Sequence, residues 1–517
     1  MNKLYTMLAQ IEPTKRRELI LVLLCLIIGF ALRFYTFDQR SLWIDEIHTF
    51  NDSRDDLRGQ INFYKETPTY LHPPLFFVLT HLFHPFTKPE RDLRILPLIF
   101  GTLSIPLFYF LAQSFSSAIA LPCTLSLTFM AYHISLSQDG RSYSLILFLG
   151  MLGLTFFQKH LKTSKRRCLL LTALLYAILF YTSYSSIPFI FFSQILWFCR
   201  TDNEVKKPVL SSLLILNGFL LLFCVPWILF IALNYKGQSI MEPFHTEGTG
   251  SFASMIYWIL KDWSSHASLV IASTILFVLF PFFSKSKRNA IILLAIIFLP
   301  TSGLYLFCKA SQMTHFISSR YFINFLPLFF ITNYMSLGVI ETKSEALKKI
   351  PRLTMLFMIL FIVSNLIILP LYYRSEKQNF RGLVAYLNDQ IRDGDKIIVA
   401  NASDILGLLH YFKVYPTNRH YSIPFRRVSE KEIEYRTTLI GDDKTFMISH
   451  SKTYWNQYVQ EGTRLWLVVG EIDKKKFEKY TPFVLKGYFD GSFLNCHKFP
   501  DDVSMFLFLW DPKSPHE

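Results

Sequence analysis

The side chains best suited to chemistry sit in short polar stretches between long apolar runs. The first stretch is Ser41-Leu42-Trp43-Ile44-Asp45-Glu46-Ile47-His48-Thr49. It sets two adjacent carboxylates beside an indole and an imidazole, directly after an apolar run. A carboxylate at the edge of a low-dielectric medium is costly unless it is paired or hydrated. Either this is an ordinary hydrated loop, or Asp45, with Glu46 beside it, is a general base or a ligand for a divalent cation.

The second stretch is Ser137-Gln138-Asp139-Gly140-Arg141-Ser142-Tyr143. Asp139 is either a loop acid paired with Arg141 or a second carboxylate that joins Asp45, sharing a cation such as Mg or Mn or splitting base and orienting roles with it. The third stretch, His315-Phe316-Ile317-Ser318-Ser319-Arg320-Tyr321, offers a guanidinium that can grip a phosphate bidentately. The alternative is an Arg–Tyr pair anchoring a helix at the membrane interface. Arg94 has the same two readings, and Arg141 and Tyr321 complete the candidate phosphate contacts. Arg33 is expected to snorkel to the interface. His72, ahead of Pro73-Pro74, is a further candidate for phosphate or metal, although a lone histidine is more often neither. Glu242 and His245 are weaker candidate ligands. Asn51-Asp52-Ser53 and Asn401-Ala402-Ser403 match a glycosylation tripeptide that is frequent by chance.

The elements that position these residues are membrane helices. Of the 517 residues 51% are hydrophobic and 18% charged, against roughly 25% charged in a soluble protein. Unbroken apolar runs of about 20 residues recur from Leu19 to Tyr373, each long enough to cross a hydrocarbon core as a helix. The predicted spans are 19–37, 94–113, 117–136, 143–159, 168–184, 187–199, 209–232, 266–283, 290–308, 320–339 and 353–373, about eleven in all. The first run is long for a signal peptide, so it reads as an uncleaved anchor. The net charge of +15 is carried in this region by basic clusters between the runs, a topology signal rather than a nucleic-acid surface.

One short apolar stretch, Leu71–Phe86, decides the topology. If it does not span, the clusters Lys15–Arg17, Lys159–Arg167, Arg200–Lys207, Lys285–Arg288 and Lys343–Arg352 all face one side, as the positive-inside rule requires. It is therefore expected as a helix lying on the outer surface. The N-terminus is then cytoplasmic, and loop 38–93, the 137–142 turn and everything after 373 face outward. Residues 374–517 carry no further span. Helical patterns at 380–391 and 403–412 alternate with strand patterns at 396–400, 465–470, 483–489 and 503–510, which predicts a small α/β domain. The expected division is a membrane domain over 1–373 and a non-cytoplasmic domain over 374–517. Of seven cysteines only Cys496 lies in the latter, so it has no internal disulfide.

Several segments together resemble the GT-C membrane glycosyltransferases, and within them the bacterial form of the dolichyl-phosphate-mannose–protein mannosyltransferase-like family (glycosyltransferase family 39). They are SLWIDEIHTF at 41–50, HPPLFF at 72–77, RILPLIFGTLSIPLFYFL at 94–111, SQDGRSYS at 137–144, SSRYFINFLPLF at 318–329, and FRGLVAYLND followed by GDKIIVA at 380–400. Order and spacing carry the likeness more than any one segment. The resemblance implies an inverting transfer of a sugar from a polyprenyl-phosphate donor to a lipid, glycan or protein acceptor at the outer face of a bacterial inner membrane. Asp45 would be the catalytic carboxylate. Asp139 falls where relatives keep a second acid, but relatives often read Ser-Gln-Glu-Ala-Arg there, so the carboxylate reaches one methylene less far. His72 falls near where the aminoarabinose transferases hold a lysine against the donor phosphate. A transporter or flippase for a lipid-linked sugar would place its polar groups near the midplane and often show internal repeats; neither feature is evident. An inactive assembly protein of the same architecture is the other alternative, against which the retained acid pair argues.

Overall fold

The computed structural model describes residues 12–66, 72–199, 209–235, 251–310, 317–343, 353–401, 404–413, 425–429, 432–441, 444–450, 459–470, 482–492 and 503–513. The expectations at Glu242, His245, His315 and Cys496 lie outside them.

In chain order the helices are α1 (Pro13–Phe34), α2 (Ile44–Asp52), α3 (Leu57–Glu66), α4 (Leu75–His81), α5 (Pro89–Asp92), α6 (Ile95–Phe115), α7 (Ser117–Phe129), α8 (Ala131–Ser137), α9 (Tyr143–Thr163), α10 (Arg166–Thr182), α11 (Ile187–Phe192), α12 (Val209–Asn234), α13 (Phe252–Ser264), α14 (Ala267–Phe283), α15 (Lys287–Ala310), α16 (Leu326–Lys343) and α17 (Leu353–Arg374). Short 3-10 turns occupy Tyr184–Ser186, Ser193–Cys199 and Ser319–Phe325. The chain forms two compact units. One holds residues 1–35, 64–79 and 94–370; the other holds 36–63, 80–93 and 371–517.

In the first unit every expected span meets helix, but not always an unbroken one. Among the described residues six helices are long and apolar enough to cross a membrane, and two bent pairs raise the number to eight. Residues 187–199, expected as a span, are α11 followed by a 3-10 turn. Pro188 at the start of α11 and the polar Ser193 and Gln194 at its end keep that helix short. The expected surface helix over 71–86 is only α4, Leu75–His81; Phe83 and His84 instead donate to Thr80 and His81 in turns.

The two bent pairs are α7 with α8, at 60°, and α13 with α14, at 108°. A broken helix in a membrane protein must satisfy the backbone groups it frees, because hydrocarbon supplies no partners. At the α7–α8 break the carbonyls of Leu127 and Thr128 accept from Arg33, at 2.9 and 3.2 Å. The amide of Ala131 donates to Asn365 Oδ1 at 2.7 Å. The same Oδ1 accepts from the Ser265 hydroxyl at the α13–α14 break, at 2.8 Å. Asn365 is fully buried, and one amide oxygen therefore ties both breaks together. Arg33 does not snorkel as expected. It is fully buried and also contacts the Gly29 carbonyl and His133 Nδ1, because the freed carbonyls offer better partners than a distant headgroup layer.

The second unit is a mixed seven-stranded sheet. Its elements are α18 (Phe380–Gln390), β1 (Lys396–Val399), α19 (Asp404–Tyr411), β2 (Phe425–Ser429), β3 (Glu432–Gly441), β4 (Lys444–His450), β5 (Leu465–Gly470), β6 (Val484–Phe489) and β7 (Met505–Trp510). The strand order is β2-β3-β4-β1-β5-β7-β6. β1 pairs in parallel with β4 and β5, and the outer pairs are antiparallel. The central strands are buried on both faces, as β5 shows along Leu465–Val469, which is why they read as continuous apolar runs. The expected helix and strand positions at 380–391, 396–400, 403–412, 465–470, 483–489 and 503–510 are all occupied. β2 to β4 were not among the expected strands, although EIEYR at the start of β3 alternates polar and apolar side chains.

One face of the sheet is covered by α18 and α19 and by residues of the first loop. Leu42, Ile47, Phe50 and Leu93 share a buried cluster with Phe380, Leu383, Leu408, Ile448 and Trp466. The segment bearing the Asp45-Glu46 pair is thus part of the α/β unit's core.

Candidate active site

The first turn of α2 separates the two adjacent acids. Glu46 is fully buried and Asp45 is half-buried at the surface. Glu46 Oε2 accepts the Trp43 amide at 3.3 Å, as the third residue of a helix commonly does for its N-cap. Its other oxygen stands 3.7 Å from Lys377 Nζ, and Lys377 is itself buried. A buried carboxylate is tolerable with such a partner and costly without it. Asp45 precedes it by one residue, roughly 100° around the helix, and so lies away from that pocket. Negative charge in the first turn is also favoured by the helix dipole.

Three consecutive residues after α17 hold this turn. Glu376 Oε2 accepts the Ser41 amide at 2.8 Å, Lys377 faces Glu46, and Gln378 Oε1 accepts the Ile44 amide at 3.0 Å. The Leu42 amide donates to the Tyr411 hydroxyl at 2.7 Å, and that hydroxyl donates to Glu90 at 3.0 Å. Burial beside Glu90 pushes the Tyr411 phenol well above its ordinary range. Arg381 bridges Glu90 and Glu376 at 3.7 and 3.6 Å. Every amide from Ser41 to Ile44 thus has a defined acceptor, which leaves the backbone under Asp45 little freedom. Sequence reasoning missed Glu376, Lys377, Gln378 and Tyr411. A run of polar side chains just past the last span was the available signal.

The remaining candidates belong to the first unit. Asp139 is buried in a tight turn closed by the Arg141 amide and Asp139 carbonyl, at 2.6 Å. The Gln138 side chain sews this turn to the end of α1 through the carbonyls of Arg33 and Tyr35, at 2.8 and 2.6 Å. Gly101 of α6 lets the preceding Ser137 approach; a Cβ there would lie 2.1 Å from Ser137 Oγ. Arg320 rests over the Tyr143 ring at 5.8 Å, which joins the second and third polar stretches. Arg94 is fully buried at the start of α6, His72 is exposed, and Arg141 and Tyr321 are half-buried. An acid that sequence reasoning missed, Asp262 at the end of α13, accepts from Ser319 Oγ at 2.5 Å, and Ser319 Oγ lies 2.9 Å from the Tyr132 hydroxyl. Asp262 thus holds the residue that directly precedes Arg320 in the chain.

Asp45 and Asp139, the two expected cation ligands, belong to different compact units. Among the described residues no group of three or more His, Cys, Asp or Glu side chains is placed to hold a metal ion.

No protein-family model and no curated protein matches this chain by sequence. Solved structures do match by shape. ArnT from Cupriavidus metallidurans in the apo state superposes with a TM-score of 0.52 over 94% of this chain and 97% of ArnT, at 11% identity. ArnT bound to undecaprenyl phosphate gives 0.50 over the same shares, at 10% identity. The fold is of the GT-C type. Its two components, a bundle of apolar helices and a C-terminal α/β unit, both fall within the matched length, and at this identity the likeness speaks for fold alone.

Proposed function

We propose that this chain is a membrane glycosyltransferase that moves a sugar from a polyprenyl-phosphate donor to an acceptor hydroxyl at the outer face of the membrane. The observation that carries the reading is the placement of Asp45: an acid at the surface of a turn whose backbone amides and neighbouring acid are all engaged. Three things support it further. The fold is shared with ArnT, of which one structure is bound to undecaprenyl phosphate. Apolar helices can take up a polyprenyl chain. Arginines 94 and 320 and His72 lie in the helical unit beside which such a chain would run.

In the proposed reaction the donor lies with its phosphate among Arg94, Arg320 and His72, with Arg141 and Tyr321 as further contacts. Asp45 takes the proton of the acceptor hydroxyl as its oxygen attacks the anomeric carbon. The bond from that carbon to the phosphate oxygen breaks, and the electron pair leaves with the polyprenyl phosphate, whose charge the cations offset. A single displacement inverts the anomeric centre. Glu46 has a different task from Asp45: bonded to the Trp43 amide and facing Lys377, it positions the turn. The reaction is built from these side chains, with no step through a divalent cation. The outward-facing site is argued from the basic clusters on the opposite loops, and a bacterial inner membrane is what the resemblance in sequence implies.

The test is transfer of radiolabel from a panel of polyprenyl-phosphate sugars by the purified protein. Loss of transfer in Asp45→Asn with an unchanged fold supports the reading; undiminished transfer by that variant removes Asp45 from the reaction. Uptake of the labelled lipid without transfer by the unaltered protein would favour a flippase instead.

A further inference from the structure

The helical unit carries an acid that the proposed reaction does not use. Asp262 lies in the last turn of α13, beside the 108° break that leads into α14. Two effects oppose a carboxylate there. The negative end of the helix dipole repels it, and an acid within an apolar bundle is expensive unless a partner offsets the cost. The packing of α13 through Met255, Ile259, Leu260 and Trp263 needs no acid at this position. The reason for Asp262 lies in what it touches.

What it touches is the 3-10 turn Ser319–Phe325. Ser319 Oγ donates to Asp262 Oδ2 at 2.5 Å. A hydroxyl has one proton to give, so the Tyr132 hydroxyl, 2.9 Å from the same Oγ, is the donor in that pair. The bonds therefore run in one direction, from Tyr132 in α8 through Ser319 to Asp262 in α13. The next residue is Arg320, whose guanidinium stands 5.8 Å over the Tyr143 ring. Asp262 and Arg320 are also near enough to attract each other. The far end of the turn is fixed as well. Asn324 Nδ2 donates to Ser186 Oγ at 3.1 Å, and the Asn324 oxygen sits so close to Gly150 that a Cβ there would lie 2.4 Å from it. All of these residues belong to the helical unit. The turn that carries Arg320 is thus tied to α8 and α13 at its first residue, and to α9 and the Tyr184–Ser186 turn at its sixth.

We propose that Asp262 is a positioning residue: through Ser319 it fixes the backbone at Arg320, so that the guanidinium is aimed before the donor phosphate arrives. This rests on the proposed transferase reading, in which Arg320 meets that phosphate. The sign of the effect is distinctive. An acid near a phosphate site repels the phosphate, so on charge alone its removal should tighten binding. If the carboxylate instead sets the direction of the arginine, its removal frees a long side chain. Binding then weakens, because the side chain must be ordered on association.

The test is the affinity of the full-length protein in phospholipid nanodiscs for a polyprenyl phosphate and for the parent polyprenol, with thermal unfolding of each variant recorded alongside. Asp262→Ala should bind the phosphate about tenfold more weakly, and the polyprenol as well as the unaltered protein does. Asp262→Asn keeps an oxygen for Ser319 and sheds the repulsive charge, so it should bind the phosphate at least as tightly as the unaltered protein. In an Arg320→Ala background Asp262→Ala should have no further effect. If Asp262→Ala does not fold, Ser319→Ala takes its place with the same expectation. Unchanged or tighter phosphate binding by Asp262→Ala, an equal loss for the polyprenol, an Asp262→Asn variant as weak as Asp262→Ala, or the same loss with and without Arg320 would overturn the proposal. Phosphate binding that needs Arg320 but not Asp262 sinks the positioning role and leaves the transferase reading. Binding that needs both, with no transfer from any labelled donor, sinks the transferase reading and leaves the positioning role.

Discussion

Lys377 holds its ammonium 3.7 Å from the Glu46 carboxylate, with both side chains buried, although the two residues stand at opposite ends of the membrane domain in sequence. Removing either charge strands the other in a medium that solvates it poorly, at a cost of about 3–5 kcal/mol. Lys377→Met and Glu46→Gln should each lower the thermal unfolding temperature of the purified protein markedly. The double variant should be less affected than the sum of the two. Additive losses would show that the groups do not interact.

Asp45 should behave in the opposite way. Its carboxylate is half-buried in the first turn of α2, whereas that of Glu46 is fully buried, so Asp45→Asn should lower the unfolding temperature less than Glu46→Gln does. Transfer should fall by about 10²–10⁴, the usual contribution of a general base. Asp45→Glu should restore part of it. Initial rates with labelled donor, alongside unfolding curves for all three proteins, decide the matter.

Asn365 ties the two helix breaks through one oxygen. In Asn365→Leu the Ala131 amide and the Ser265 hydroxyl lose their acceptor inside the protein, and each buried unsatisfied group costs about 1–3 kcal/mol. Asn365→Asp retains the acceptor and should retain more stability. The ordering of the two variants in a melting experiment is the readout.

The α/β unit should weaken in acid. Burial lowers the His410 imidazole to about 4, with its ring against Phe50 at 4.7 Å. In the unfolded chain the group titrates near 6.5. Above that value it is neutral in both states and costs nothing. As pH falls from about 6.5 towards 4, the unfolded state takes up a proton that the folded state refuses, and stability declines by roughly 3 kcal/mol. His410→Phe should flatten this part of the pH profile, measured as hydrogen-exchange protection of β1 and β5.

Arg320 is proposed to meet the donor phosphate while lying over Tyr143. Arg320→Lys keeps the charge but loses the planar, forked donor geometry. It should reduce transfer, and Arg320→Ala should reduce it further, while Tyr321→Phe has a smaller effect. Equal rates in the lysine and alanine variants would separate Arg320 from the phosphate.

Much of the architecture was legible from residues alone, for a local reason. Whether a run of 20 apolar residues forms a helix, or whether LWLVVG forms a buried strand, depends on side chains that are neighbours in the chain. So the long helices α1, α6 to α10, α12 and α14 to α17 and the strands β1, β5, β6 and β7 stand close to where hydropathy predicted them, while α2, α3, α5 and α13 lie in stretches where it predicted no span. The acid pair at 45–46 was visible as well. Its division into a surface acid and a buried one was not.

That division rests on Lys377, and the turn that creates it rests on Glu376, which accepts the Ser41 amide across 335 residues of sequence. The fates of Arg33 and Asn365 were likewise undecided until the breaks at Met130 and Ser265 exposed backbone groups in need of partners. The sequence by itself determined which segments are apolar helices, which are strands and where the acids lie along the chain. The tertiary structure alone decided which charges are buried together, because burying a charge is a question of what distant segment arrives to pair with it.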